Sequence, residues 1–343
     1  QEDSVFENFL RNRKVTYYRL NFKGKKSLPS LILKVRQILK KQKTDIVHTH
    51  IFEANLVGFI AAKLLGIRQR IYTRHHSTLH HEYHKKGVIY DKVISRMASN
   101  AVAITDVVRK VMVDVEKTPA NKVKVIHHGF KIEYFTQAKP PIIESLREKY
   151  NVKPDDFVIG VVSRYIKLKG IEYIIEAFSQ LLEKYPRVKL VLANALGDYA
   201  STIKPLLSKL PPDRYTEITY EREMPSLYRL MDVFVHVPIN NKVEAFGQIY
   251  VEAMLSGTPS VVTLSGVAHE YIVHEKNALV VDYHNATQIA TSIERLMLDQ
   301  DLYQKIASQG LADTQHRFTL ENMIEQLESL YLETPLKQSS STK

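Results

Sequence analysis

Two runs of alternating apolar strands and amphipathic helices constrain this chain more than any other feature. Such alternation folds into parallel sheets covered by helices. In the first run, Leu31, Leu33, Val35 and Leu39 interleave with lysines, predicting a basic amphipathic helix over 28–43. KTDIVHTH (43–50) reads as a short buried strand, an alanine-rich helix follows over 53–65, and Gly66 closes it. Strands from Arg70, over 101–105 and over 122–130 continue the series. The pattern lapses over 137–155, where KPP and KPDD flank a candidate helix, IIESLREKY, and this is the best linker. A second run then sets strands at DFVIGVVS, VKLVLANA, EIT, VFVHVP, SVVTL and ALVVD, with a helix at 171–185 and two over 286–315. The expected division is a first domain over 1–140, a second over 152–317 and an amphipathic final helix over 318–334, with the tail KQSSSTK disordered.

A length of 343 residues is ample for two cores. Apolar content of 44% and charged content of 25% are those of packed domains, so disorder is not the default. The chain has no cysteine, which rules out a disulfide framework and thiolate chemistry and fits a cytoplasmic protein. The longest apolar run, 56–67, is too short to span a bilayer and is broken by Lys63. Net charge is +11, and residues 1–43 carry twelve Lys/Arg against three Asp/Glu. That segment is either a solvated face or a contact for an anionic surface, such as acidic lipid at the inner face of a membrane or an anionic acceptor. Nucleic acid is not an expected partner, because no nucleic-acid-binding motif is present.

The chemistry concentrates in EAFGQIYVEAMLSGTP (244–259), where seven residues separate Glu244 from Glu252. Gly247 marks a turn into a short helix that Gly257 and Pro259 stop. The first turn of such a helix offers free N–H groups and a positive dipole end, a seat for phosphate or a sugar hydroxyl. Glu244 stands before that seat, and Glu252, one turn in, can accept two bonds from a vicinal diol. Together they suit an elongated ligand with hydroxyls at both ends and phosphate between, as in a nucleotide-sugar. A surface helix with two solvated glutamates is the plain alternative.

This segment resembles the E-x7-E signature of the family 4 retaining glycosyltransferases, and the flanking chain agrees over most of its length. The resemblance implies the GT-B fold: two facing, Rossmann-like, doubly wound domains, a cleft between them, and a last helix crossing back onto the first domain. Members normally open with a strand and a glycine-rich loop that this sequence lacks, so the first domain is expected to be abbreviated or to begin upstream. Arg164 and Lys169-Gly170 match the family's G-R-x4-K-G element, with Ser163 in place of its glycine, and would hold the donor diphosphate. Glu244 and the N–H groups of Phe246 and Gly247 would hold sugar hydroxyls, and Glu252 the ribose. Gly266, in SGVAHE, matches a loop that the resemblance would place near the diphosphate.

In RHHSTLHHEYH five histidines fall within ten residues. The resemblance implies that His76 reaches the donor sugar, with His75 a rival. His76, His80 and His84 also share a spacing that on a helix can bind a transition metal, but family members need none for catalysis. No metal and no cofactor are therefore expected. Gly129, in HHGF, is read as a turn of positive φ with a structural role only. The implied reaction is retaining transfer from a nucleotide-diphosphate sugar to a hydroxyl acceptor in glycan, polysaccharide or glycolipid synthesis. A glycosidase with two carboxylates fits less well, since hydrolysis does not call for Arg164 and Lys169. A sugar-nucleotide epimerase and a non-catalytic basic scaffold are the remaining alternatives.

Overall fold

The computed structural model describes residues 4–333. Two all-parallel sheets form its frame. The first holds β1 (Ile46–His50), β2 (Gln69–Arg74), β3 (Asn100–Ala103) and β4 (Val123–Val125), side by side in sequence order. The second holds β5 (Phe157–Val162), β6 (Val188–Ala193), β7 (Tyr215–Ile218), β8 (Val233–His236), β9 (Ser260–Val262) and β10 (Leu279–Val280). Its order is β10-β9-β8-β5-β6-β7, so the direction of winding reverses between β5 and β8. Ligands in such sheets bind beyond the carboxyl ends of the strands at that reversal.

The inner strands β5, β6, β8 and β9 of the second sheet are rich in Val, Ile and Leu and buried at nearly every position, as a parallel sheet covered on both faces requires, whereas the edge strand β7 is only partly buried. The helix Ile171–Lys184 shows the matching period: Ile171, Ile174, Ile175, Phe178 and Leu181 are buried on one stripe. In β5 the glycine is dictated by packing, since a Cβ on Gly160 would lie 2.0 Å from the Met231 sulfur. IIESLREKY is indeed helical, within Pro140–Lys149.

The first sheet departs from the sequence reading in two places. The strand expected over 122–130 ends at Val125, although the Ile126 N–H still reaches the Ala103 carbonyl at 3.0 Å. Gly129 does not take the positive φ expected of it, for it is absent from the left-handed glycines. It is needed for proximity instead: a Cβ there would come within 2.7 Å of Leu320 Cα and the Thr319 carbonyl oxygen. The crossing chain that demands this space is the final helix, Leu320–Leu332. Phe130 exchanges backbone hydrogen bonds with Phe318 and Leu320 (2.8 and 3.0 Å), and Leu330 packs with Ile71, Val102 and Ile126 of the first sheet. The tail 337–343, expected to be disordered, lies outside the described residues.

The helix Val5–Asn12, capped by a Ser4–Glu7 box, precedes the basic helix Leu28–Lys41, and no strand precedes β1 among the described residues. No described helix is long and apolar enough to cross a membrane. One hydrophobic core runs through both halves, from Phe59 and Tyr72 through Phe130 and Phe246 to Tyr250 and Phe318. The cleft above it therefore sits on a packed floor.

Candidate active site

At the reversal, β8 ends in His236 and its connection runs out through Lys242 and Glu244 to Gly247. Gly247 takes φ +85° and opens the helix Gln248–Leu255, as its position before an apolar-periodic run predicts. The loop is held from behind by 265–267: the Glu244 N–H donates to Ser265 Oγ at 2.9 Å and the Val267 N–H to the Phe246 carbonyl at 2.9 Å. Gly266 makes this backing possible, because a Cβ there would meet the Phe246 oxygen at 2.6 Å and Glu244 Cβ at 2.8 Å. The Phe246 ring is 3% exposed and wedged among His128, Phe130 and Phe318, at centroid distances of 4.8, 6.2 and 5.8 Å. Its side chain is thus an anchor. Its N–H and that of Gly247 have no partner among the described residues and remain for a ligand.

Lys169 follows the end of β5 and pairs directly with Glu244 Oε1, which also bonds His236 Nε2 at 2.9 Å. Burial pushes the Glu244 carboxyl up, but the His236 hydrogen bond and the Lys169 charge outweigh it and hold the group down at about 2. Glu244 is therefore ionised at neutral pH, with Oε2 taking no hydrogen bond from the described residues. His236, 1% exposed, is held neutral chiefly by burial, so its proton bonds the carboxylate as an uncharged donor. Arg164, at the exit of β5, is exposed and makes no ion pair among the described residues. Glu252 lies one turn into the helix, where Tyr228 Oη donates to it at 2.9 Å. Burial raises its pKa, opposed by that hydrogen bond.

The facing wall comes from the first domain. His75, His76, Ser77, Ile104 and His128 meet Leu168, Glu244 and the 245–248 turn around a cavity of about 430 Å³. Three hydrogen bonds stitch the halves together at and beyond this cavity. Ser77 Oγ donates to the Lys242 carbonyl (2.9 Å), Thr105 Oγ1 to the Ala245 carbonyl (2.8 Å), and the Asp106 N–H to Glu270 Oε1 (2.8 Å). His127 Nε2 adds a bond to Glu270 Oε2 at 2.6 Å. His76 is lowered to about 3, by burial first and then by Arg74 and the neighbouring histidines. It faces the cavity as a neutral imidazole. His75 bonds His50 at 2.9 Å and stacks on His128 with centroids 5.6 Å apart, so both histidines of the pair border the cleft.

The structure brings His76, Glu244, Phe246 and Gly247 around one cavity, with Lys169 bonded to its carboxylate and Gly266 behind it. It does not bring Glu252 into that cavity. Glu252 raises the pKa of Tyr134 by its charge, after the larger effect of burial and that of Glu223. Tyr134 borders a second hollow of about 340 Å³ beside Lys131, Glu223 and Ser226. His84 does not join a helical row with His76 and His80: the helix Leu79–Tyr83 stops before it, and His84 bends the chain into the next helix. His236, Tyr228 and Glu270 escaped the sequence reading. A histidine inside VFVHVP was the one visible sign, a polar residue in an otherwise apolar buried strand.

Two family models cover the chain. Residues 142–313, more than half of it, match "Glycosyl transferases group 1", and residues 2–134 match "Glycosyltransferase Family 4". Among relatives, the capsular polysaccharide biosynthesis glycosyltransferase CapM of Staphylococcus aureus is 29% identical over 93% of this chain and 83% of its own. A D-inositol 3-phosphate glycosyltransferase of Corynebacterium urealyticum is 27% identical over 85% of this chain and 72% of its own. Among solved structures, Anabaena HepE in complex with UDP-glucose superposes with a TM-score of 0.84 at 23% identity, over 97% of this chain and 90% of that one. A Rickettsia africae glycosyltransferase gives 0.81 at 23%, over 98% and 89%. The two facing parallel-sheet halves, the cleft at the winding reversal and the family match together establish that the chain belongs to the group 1 glycosyl transferases, as a nucleotide-sugar glycosyltransferase of family 4 with the GT-B fold.

Proposed function

We propose that the cleft transfers a sugar from a nucleotide-diphosphate donor to an acceptor hydroxyl with retention of configuration and without a metal ion. The observation that carries this reading is the Lys169–Glu244–His236 unit placed at a helix start, with neutral His76 across the cleft. In the reaction the bond between the anomeric carbon and the phosphate oxygen breaks, and the acceptor oxygen bonds that carbon on the same face. The acceptor proton passes to the departing phosphate oxygen. No protein base is needed, and the work of the chain is to position both substrates and meet the charge that develops on the leaving group.

Arg164 and Lys169 are the cations for that charge. Lys169, bonded to Glu244 before the donor arrives, is shared with the diphosphate once it is seated. Glu244 Oε2 and the N–H groups of Phe246 and Gly247 take sugar hydroxyls, Gly266 keeps their loop in place, and His76 contacts the sugar near its reacting carbon. Glu252 holds the ribose beside the Tyr134 hollow. A glycan or lipid-linked acceptor is supported by the capsular relative. It is supported also by the first segment, where basic residues surround exposed Phe6, Phe9 and Phe22, the composition of a peripheral contact with an anionic membrane.

Stereochemistry tests the reading without knowledge of the acceptor. In donor alone, water takes the acceptor's place slowly, and proton NMR identifies the first sugar anomer released before mutarotation. An α-linked donor is expected to yield the α sugar first. Release of the β anomer first would contradict a retaining site.

A further inference from the structure

Behind the His76 wall lies a constellation whose members, His76 apart, have no part in the transfer reaction. Arg74, 3% exposed, places Nη2 3.0 Å from Asp91 Oδ2 and 2.7 Å from Glu116 Oε1. One guanidinium therefore serves two carboxylates that are 6% and 4% exposed, leaving a surplus of negative charge inside the first domain. Imidazoles crowd this surplus: His80 Nδ1 lies 2.6 Å from Asp91 Oδ2, and His81 Nε2 lies 3.0 Å from Glu116 Oε1.

His76 Nε2 and Asp91 Oδ1 are 3.8 Å apart, too far for a hydrogen bond. Two ligand atoms each about 2.1 Å from one metal ion can stand up to about 4.2 Å apart. One ligand atom from each of His76, His80 and Asp91 lies within 4.8 Å of the others. All three residues border a cavity of about 160 Å³, with room for a water at a fourth position. The His80 ring is fixed in place: a Cβ on Gly87 would strike it at 2.6 Å, Phe52 meets it edge-on at 6.3 Å, and the His76 ring stands 4.1 Å away.

We propose that His76, His80 and Asp91 form a binding site for a divalent transition-metal ion of the zinc class, set behind the cleft. Two imidazoles and one carboxylate select zinc, cobalt or nickel over magnesium or calcium, which prefer oxygen ligands alone. The ion stands apart from Arg164 and Lys169 and takes no part in transfer. It acts on it instead. Bound through Nε2, it withdraws His76 from the donor sugar, so occupancy lowers transfer; this second consequence rests on the role proposed for His76 above.

The test is a cobalt(II) titration of the full chain after chelator dialysis, read as visible absorption, so that it is independent of any substrate. The native chain is expected to bind one equivalent with d–d bands that zinc bleaches. His80→Ala is expected to weaken binding by about a hundredfold or more, since loss of a direct ligand should exceed the outer-sphere effects of tenfold to a hundredfold. His80→Gln, whose amide can still bond Asp91, is expected to fold like the native chain and bind as weakly as the alanine variant. His84→Ala is expected to bind normally. Absence of the bands in the native chain, unaltered bands in folded His80→Gln, or their loss in His84→Ala would each overturn the site. Zinc is expected to inhibit transfer by the native chain reversibly with EDTA and to spare His80→Gln. If transfer itself is not found, the cobalt bands still decide whether the ion binds.

Discussion

Lys169→Ala is expected to lower kcat by about 10²–10³-fold, the usual scale for removing one donor aimed at developing charge. Lys169 contributes twice. In the proposed reaction it is the cation that meets the departing diphosphate, and in the structure its charge, after the His236 hydrogen bond, helps hold the Glu244 carboxyl down. With the ammonium gone, Glu244 keeps only the neutral His236 hydrogen bond in a largely buried position, and its pKa rises from about 2. Lys169→Arg restores the charge but not the compact ammonium that pairs with Glu244 and, in the proposed reaction, with the phosphate, so partial recovery is expected. Steady-state kinetics with parallel thermal unfolding separate the catalytic loss from any loss of fold. A folded Lys169→Ala enzyme with native kcat would remove Lys169 from the mechanism.

The largest stability effect is expected at Phe246. Truncation to alanine should cost about 3–5 kcal/mol, the range for a large aromatic side chain lost from a packed core. The ring lies where the two halves meet, against Phe130 and His128 of the first and Phe318 at the start of the crossing segment. Its removal opens a void under the cleft floor and frees the loop that carries Glu244. Urea unfolding measures the cost. Phe246→Leu, which keeps most of the apolar volume, should lose less than half as much. A cost below about 1 kcal/mol for the alanine variant would mean that the halves are not held together through this ring.

The second domain was legible almost element by element because its inner strands are buried on both faces, and long apolar runs between glycine and proline stops have one reading. The helix after Gly247 was legible for the same reason, whereas the Arg164–Lys169 turn was legible through its match to the G-R-x4-K-G element. What the sequence could not supply was partnership. Lys169 and Glu244 are 75 residues apart, and nothing in either segment announces that they share a bond. Asp91 and Glu116 look like surface charges in sequence and are buried only because Arg74 stands between them. The helix Lys85–Met97 was missed because Gly87 and scattered lysines blur its apolar stripe. Gly129 was assigned to the wrong cause: its need for a missing Cβ comes from a helix nearly two hundred residues later, which local turn chemistry does not reveal.

The measurement that bears most directly on the central claim is donor-induced thermal stabilisation in EDTA, for UDP-, GDP- and ADP-linked sugars, on the native chain, Arg164→Ala and Glu252→Ala. UDP-glucose comes first, as the ligand held by the Anabaena HepE structure. At a hundred times its dissociation constant a bound donor should add about 2.7 kcal/mol. The expected result is stabilisation of the native chain by one nucleotide series, lost in both variants. A folded native chain that none of the three series stabilises, or stabilisation that persists in both variants, would contradict a nucleotide-sugar seated between Arg164 and Glu252.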